Sequence, residues 1–409
     1  MFQLFKQNKM YRILLIYQFF SSIGGGMFSI FILLSVHLIY NNPVYTGIAG
    51  FLMAAPRIFS FAVGPIVDRC NKVTIMRLST FLEFLVLSIL VYAPLQDTFG
   101  VLFMFGVIFI YNVAALFEVP AGTALLPKIV PEDKIVEGNS LINISSMTGG
   151  LIIATVLFTT FGDINFRFLF GFSAVFLGIT FIFSLLLRNA EATTKNMLTS
   201  PINYISDLKE GAKFIRRNII LYTTIAAVVM GMFGEIAQVN RPSLLEYYVG
   251  VHGYVVFSIV GLVGGIAASY FVGMLGSKFK LGRLLFALFM LASMVRILFV
   301  IFLPVLFVGG LATLTLYSAL TASLGILFLS LNQKIPPENM VGRVDTMART
   351  FGAIFVAIGA LAGGFLGSIV SVVDHIFLFQ GASYILVGAL MVSIPSIRRL
   401  PRVNEILRQ

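Results

Sequence analysis

Twelve apolar runs, each long enough to cross a lipid bilayer, constrain the fold of this chain more than any other feature. They lie near residues 12–40, 44–67, 73–94, 99–125, 138–161, 165–187, 218–245, 253–276, 282–304, 307–332, 345–371 and 375–396. An α-helix needs about 20 predominantly apolar residues to cross the hydrocarbon core, and segments this long without period-2 alternation argue against a β-barrel. The sequence therefore predicts an all-α membrane protein with twelve transmembrane helices, called spans one to twelve below.

The composition agrees with a bilayer as the main solvent. Hydrophobic residues make up 58% of the chain and charged residues 11%, whereas a soluble domain carries about 25% charged residues. The single cysteine excludes an internal disulfide framework. The first apolar run is too long for the h-region of a signal peptide, which has about 7–15 residues, so we expect it to be an uncleaved span.

The basic residues predict the orientation of the chain. With the N-terminus in the cytoplasm, every even-numbered connection returns there. All but four of the 28 Lys and Arg residues then lie in the cytoplasmic tails and connections, the exceptions being Arg57, Arg167, Arg241 and Arg296. This positive-inside pattern predicts a multi-pass protein of the cell inner membrane with both termini cytoplasmic. The net charge of +11 is then an orientation signal facing anionic lipid, and we expect no nucleic-acid partner.

The sequence also predicts two similar halves. Shifting PKIVPEDKIVEGN, which starts at Pro127, by 206 residues superposes it on QKIPPENMVGRVD, which starts at Gln333. Because each half has six spans, the two halves enter the membrane in the same direction and form a parallel repeat. The predicted parts are an N-terminal half (1–187), a cytoplasmic linker with a short amphipathic helix (188–217), a C-terminal half (218–396) and a cytoplasmic tail (397–409).

One connection carries a family signature. GPIVDRCNK, between spans two and three, resembles the loop motif G-x-x-x-D-R-x-x-[RK] of the major facilitator superfamily, and GMLGSKFKLGR is a weaker copy in the second half. The segments KIVPEDKIVEGN and KIPPENMVGRV are similar to the macrolide-efflux and siderophore-exporter branch. The resemblance implies the major facilitator fold and a secondary active transporter working by alternating access. We expect a proton-coupled exporter, an antiporter, of an amphipathic organic compound (drug, macrolide-like or siderophore-like), acting as a monomer.

Other functions stay open at this point. The chain is alternatively an importer or uniporter of a small metabolite, or a non-transporting membrane sensor or lipid translocator. An enzyme is not expected, because GMLGSKF lacks the spacing of a phosphate-binding loop. No cofactor is expected, and no metal either, because the three histidines are far apart and there is no Cys/His cluster.

The loop signature predicts a conformational latch made of Gly64, Asp68, Arg69 and Lys72. Gly64 would allow close helix packing, and Asp68 would pair with a basic residue and break that contact when the halves move. The alternative is a charge cluster that only anchors the topology.

Charged residues inside spans are costly, at least ~2.5 kcal/mol each at the bilayer centre, so each should face a partner or a watery cavity. Proton coupling needs a carboxyl group that exchanges a proton, and Glu235 and Glu118 are the candidates. Arg57 and Glu83 fall at similar depth in spans two and three and are predicted to form a structural pair. His37, at the outer end of span one, is predicted to lie at the surface.

Span seven lines the central cavity, as the resemblance implies. The candidates for contact with substrate are Gln238, Asn240, Arg241 and Arg296. We expect Gln238 to bridge Glu235 and Arg241 on neighbouring turns, and Pro242 to permit a bend. The alternative is a structural Glu–Arg clamp between spans seven and nine through Arg296.

Overall fold

The computed structural model describes residues 8–95, 98–131, 134, 138, 141–142, 145–146, 149, 166–187, 204–337, 340–369, 373–402 and 405. Its helices are α1 (Lys9–Tyr40), α2 (Pro43–Ala54), α3 (Ser60–Arg69), α4 (Lys72–Tyr92), α5 (Thr98–Ile129), α6 (Phe166–Leu186), α7 (Tyr204–Arg217), α8 (Ile220–Lys278), α9 (Leu281–Phe302), α10 (Phe307–Lys334), α11 (Val341–Ile369), α12 (Asp374–Ser393) and α13 (Pro395–Arg398). A 3₁₀ turn, Ala55–Phe59, joins α2 to α3. No strand occurs in these ranges, and the all-α prediction is confirmed.

Ten described helical segments are long and apolar enough to cross a membrane. One of them, Pro43–Gly64, joins α2, the 3₁₀ turn and α3. Another, the 49-residue segment Ile220–Ala268, belongs to α8, which breaks at Gly250 with φ 70°. Glycine adopts this conformation without a Cβ clash, so the two arms of α8 are spans seven and eight. The predicted bend at Pro242 is not where α8 breaks. Span five falls largely outside the described residues.

Asparagine side chains begin three of the helices. Asn8 Oδ1 accepts the backbone N–H of Tyr11 (3.0 Å), and Asn71 Oδ1 accepts that of Thr74 (3.1 Å). Asn42 caps α2, whose first residue is Pro43. Asparagine is a preferred N-cap because its oxygen satisfies an otherwise free N–H of the first turn, and proline is favoured at the first helical position.

The chain divides into two compact units. We call Met1–Asn41 with Phe59–Ile202 the first unit, and Asn42–Ile58 with Asn203–Gln409 the second unit. In the first unit, α4 packs on α5 and α6, and α1 packs on α6. In the second unit, α8 packs on α10 and α11, α9 on α10 and α12, and α2 on α11. The predicted four-part division by sequence order stays a prediction; the second unit takes in α2 from early in the chain.

Glycines allow the close packing inside the second unit. Three glycines of α11 spaced four apart face three residues of α8 with the same spacing: Gly359, Gly363 and Gly367 opposite Met232, Ile236 and Asn240. A Cβ on Gly363 would lie 2.9 Å from the Cα of Ile236. On the α2 side, a Cβ on Gly47 would lie 2.6 Å from the Cα of Gly364. Small residues of this kind let membrane helices approach backbone to backbone.

The linker helix predicted from ISDLKEGAKFIRR is present as α7. It packs on α11 within the second unit. Arg343 of α11 donates a hydrogen bond to Glu210 of α7 in an ion pair. Gly211 faces the backbone carbonyl of Arg343, a position where a Cβ would clash. A charged contact and a close approach thus hold α7 on the start of α11.

Candidate functional site

Glu235 lies on the first arm of α8 and is partly buried. Arg57 and Arg241 are the two cations whose charge acts on it. Neither forms an ion pair with it within 4 Å in the described part of the second unit. A Cβ on Gly50 of α2 would come within 3.7 Å of Glu235 Oε1. The carboxyl group therefore stands near two guanidinium groups without being locked to either.

Arg241 has only part of its hydrogen-bonding capacity in use. Its Nη2 donates to Ser258 Oγ at 3.1 Å, and its guanidinium carbon lies 5.8 Å from the ring centroid of Tyr254. Its buried Nε has no hydrogen-bond partner among the described residues. The predicted bridge through Gln238 is wrong, because no described residue forms a hydrogen bond with that side chain. An anionic group of a ligand would satisfy the free Nε donor.

Asn240 is a packing residue rather than a cavity residue, which corrects the prediction. It is 2% exposed. Its Nδ2 donates to the carbonyl of Ile236 at 2.8 Å and to that of Gly363 at 2.9 Å. Both amide hydrogens are thus used at the contact between α8 and α11, where a polar side chain is kept by its hydrogen bonds.

Arg296 is likewise enclosed within its own unit. Its Nε donates to Gln380 Oε1 at 2.6 Å. Its guanidinium carbon lies 4.5 Å from the ring centroid of Tyr317, 4.6 Å from that of Phe377 and 5.2 Å from that of Phe299. Aromatic faces stabilise a cation, so this arginine joins α9, α10 and α12. The alternative clamp to Glu235 is not formed among the described residues.

The first unit holds the second coupling candidate. Glu118 of α5 is 6% exposed. Its Oε1 accepts hydrogen bonds from Tyr17 Oη at 2.6 Å and from Ser21 Oγ at 2.9 Å, both on α1. Tyr17 and Ser21 are one helical turn apart, so their hydroxyl groups reach the same oxygen.

Glu83 of α4 belongs to the same group. It is 1% exposed, and neither of its carboxyl oxygens has a hydrogen-bond partner within the described part of the chain. The charge of Glu118 acts on Glu83, and both carboxyl groups act on the phenols of Tyr17 and Tyr111. The predicted Arg57–Glu83 pair would join a residue of the second unit to one of the first, and it stays a prediction.

A sequence profile identifies the family. The profile of the Major Facilitator Superfamily matches residues 14–360 of the 409-residue chain. The chain belongs to the Major Facilitator Superfamily. It is a multi-pass membrane transporter and not an enzyme. No curated protein matches the chain.

Solved structures share the Major Facilitator fold over nearly the whole chain. The nucleoside transporter NupG has 13% identity and a TM-score of 0.73, covering 96% of this chain and 99% of that one. A D-xylose-proton symporter has 10% identity and a TM-score of 0.72, with coverage of 96% and 98%. A POT family transporter in complex with 5-aminolevulinic acid has 14% identity and a TM-score of 0.72, with coverage of 96% and 97%. Identities this low show the fold alone.

The loop motif of the superfamily is only partly described. Arg69 is exposed and Lys72 is buried at the first residue of α4, while the Asp68 side chain lies outside the described residues. An added Cβ on Gly64 would have no described heavy atom within 4 Å, so the packing role of Gly64 stays a prediction. The latch stays a prediction that rests on the charged residues.

Sequence reasoning missed several residues of these groups. The sequence could have predicted a shared polar partner for Tyr17 and Ser21, because two hydroxyl groups one turn apart in an apolar helix face the same neighbour. Ser258 and Tyr254 had none, because they reach Arg241 from the second arm of α8, beyond the break at Gly250. Gln380 had none either, because it reaches Arg296 from α12. His37, predicted at the surface, is 6% exposed in the last turn of α1. Among the described residues no cluster of three or more His, Cys, Asp or Glu side chains could hold a metal ion.

Proposed function

We propose that this protein is a secondary active transporter of the cell inner membrane that exports an amphipathic organic compound in exchange for protons. It would work by alternating access, as a monomer with both termini in the cytoplasm. The substrate class follows the resemblance to the macrolide-efflux and siderophore-exporter branch. The observation that carries proton coupling is Glu118, a buried carboxyl group inside a span whose described contacts are two hydroxyl donors and no cation.

A carboxyl group in this setting is suited to coupling. Its ionised form is costly inside the bilayer, so the group gains or loses a proton when a conformational change opens it to water. A charge change of this kind gives the two conformations different free energies. Coupling requires only that the substrate also distinguishes between those conformations.

The positive charge near Glu235 indicates which charge the substrate carries. Arg57 and Arg241 supply two positive charges against one carboxylate, and the Nε of Arg241 lacks a partner among the described residues. This excess of positive charge favours a substrate with an anionic group. The 41 phenylalanines of the chain supply apolar surface for the rest of an amphipathic molecule.

The same group favours a second candidate, proton-coupled import. A proton on Glu235 would leave both guanidinium groups free for an anion, so proton and anion would strengthen each other's binding. Mutually reinforcing binding is the thermodynamic basis of symport, whereas exchange needs proton and substrate to exclude each other. The shared fold with a D-xylose-proton symporter is compatible with this alternative. The direction therefore depends on which carboxyl group couples.

The test is transport in proteoliposomes under an imposed pH gradient, with substrates selected by thermal stabilisation of the purified protein. We expect Glu118→Gln to abolish proton-driven uphill transport while downhill exchange continues, because glutamine keeps the hydrogen-bonding shape but carries no proton. Glu405→Gln, which removes an exposed carboxylate of the tail, is the matched control and should transport normally.

Two results would change the assignment. If Glu118→Gln keeps uphill transport and Glu235→Gln loses it, the coupling group is Glu235 and symport replaces export. If neither variant alters the response to the pH gradient, proton coupling through these spans is wrong.

A further inference from the structure

We propose that a basic pocket between the start of α9 and α13 binds the phosphate group of an anionic phospholipid. We call it the α9–α13 pocket. Its volume is about 490 Å³, and four cations line it: Lys280, Arg283, Arg398 and Arg399. The inference goes beyond the proposed function, because it requires a protein that lies in a membrane but neither a transport direction nor a coupling ion.

Backbone contacts hold the two sides of the pocket together. The N–H of Leu281, the first residue of α9, donates to the carbonyl of Pro401 at 3.1 Å. Gly282 lies against the carbonyl of Ile397, where a Cβ would clash, and that Cβ would lie 2.9 Å from the carbonyl oxygen of Arg398. The side chain of Ile397 is buried and anchors α13. The fold therefore holds the two cation-bearing segments side by side.

The positive charge of the pocket is not neutralised by the described part of the chain. None of the four cations forms an ion pair within 4 Å with a described Asp or Glu, and no described carboxylate lines the pocket. Glu405, the only acidic residue of the predicted tail, pairs with Arg402 at 3.5 Å. Four like charges around one pocket repel one another, so a bound anion would be stabilised by all of them.

The chemistry of these cations matches a phosphate group. Three of the four are arginines, and arginine presents a planar fork of N–H donors that fits two phosphate oxygens at once. All four side chains are exposed, so a headgroup can reach them. The pocket also lies on the side that the positive-inside pattern predicts to be cytoplasmic, where basic pockets at the ends of membrane helices bind anionic headgroups.

The rest of the pocket wall favours a lipid over a free phosphate ion. Phe286 of α9 and Val392 of α12 line the pocket, and Leu386 and Leu390 are exposed farther along α12. Apolar surface at the end of a span contacts acyl chains, while long basic side chains reach the level of the headgroups. A zwitterionic headgroup would add a fifth cation to the pocket, so the net charge favours an anionic lipid.

Lipid binding to the full-length protein purified in detergent tests the pocket without a transport assay. Phosphatidylglycerol is the probe, phosphatidylcholine with the same acyl chains is the comparison, and native mass spectrometry counts the bound lipids. The wild-type protein should prefer phosphatidylglycerol. Arg398→Gln combined with Arg399→Gln should weaken its binding roughly 10- to 30-fold, because each basic residue near an anionic headgroup contributes about fivefold.

The matched control is Lys209→Gln combined with Lys213→Gln. It removes two exposed cations of α7, in the same unit, that do not line the pocket. This variant should keep the wild-type affinity for phosphatidylglycerol. An equal loss in the two double variants would show that net charge alone attracts the lipid and would overturn the pocket, as would equal binding of the two lipids by the wild-type protein.

Inorganic phosphate distinguishes a lipid site from a site for the free ion. It should not displace phosphatidylglycerol, because it lacks the acyl chains; complete displacement would overturn the lipid assignment.

A second pair of substitutions covers the case in which the α13 variant fails to fold. Lys280→Gln combined with Arg283→Gln removes two cations at the start of α9 and leaves the end of the chain unchanged. It should weaken phosphatidylglycerol binding by a similar factor. Wild-type affinity in this variant would overturn the proposal.

Discussion

At the scale of single residues, Arg77 of α4 caps the C-terminal end of α6 in the first unit. Its Nε donates to the carbonyl of Ser184 at 3.1 Å, and its Nη2 donates to those of Leu185 (3.3 Å) and Leu187 (2.6 Å). These carbonyls belong to the end of α6, where a cation is also favoured by the helix dipole. We predict that Arg77→Ala destabilises the protein by about 2 kcal/mol, measured as a lower melting temperature in detergent.

The control for this prediction is an arginine of comparable charge in an exposed pair. Arg349 donates to Asp345 at 2.7 Å across one turn of α11, with 61% of its side chain exposed. Such pairs contribute only about 0.3–0.5 kcal/mol. Arg349→Ala should therefore leave the melting temperature almost unchanged, and equal losses in the two variants would show that Arg77 acts by charge alone.

At the scale of elements, the contact between α8 and α11 depends on glycine. A Cβ at Gly363 meets the backbone of Ile236, whereas a Cβ at Gly352 on the same helix meets no described atom within 4 Å. Gly363→Ala should lower stability by roughly 1–3 kcal/mol through overpacking. Gly352→Ala should raise it by up to about 1 kcal/mol through helix propensity. The comparison is a pair of thermal unfolding curves, and a stabilising Gly363→Ala would show that the two helices can move apart freely.

At the scale of the whole molecule, the predicted orientation in the membrane is open to direct measurement. Cys70 is the only cysteine and is exposed between α3 and α4. A membrane-impermeant thiol reagent should label it in inside-out vesicles and not in intact cells. In a Cys70→Ser background, Val305→Cys should show the reverse pattern, since Val305 is 81% exposed in the connection after α9. Labelling of both positions from the same side would overturn the assigned topology.

The sequence by itself determined the membrane spans and where several helices begin. Apolar length is a local property, so a run of about 20 residues predicts a span whatever its neighbours are. The family motif near Gly64 and the asparagine caps can also be found in short stretches of sequence. The predicted short helix near Lys209 followed from its local pattern in the same way.

Only the tertiary structure decided which polar side chains meet. Asn240 was predicted to contact substrate, yet it donates to backbone carbonyls of Ile236 and Gly363; Arg296 is enclosed by aromatic rings rather than by a carboxylate. Depth along a helix can be counted from the sequence, but the direction a side chain faces depends on which neighbour its helix packs against. The glycines of α2 and α11 allow particular neighbours through backbone contacts between residues far apart in the chain, such as Gly47 with Gly364 and Gly363 with Ile236. Within the bilayer, where apolar surface faces both lipid and protein, hydrophobicity alone does not choose among them.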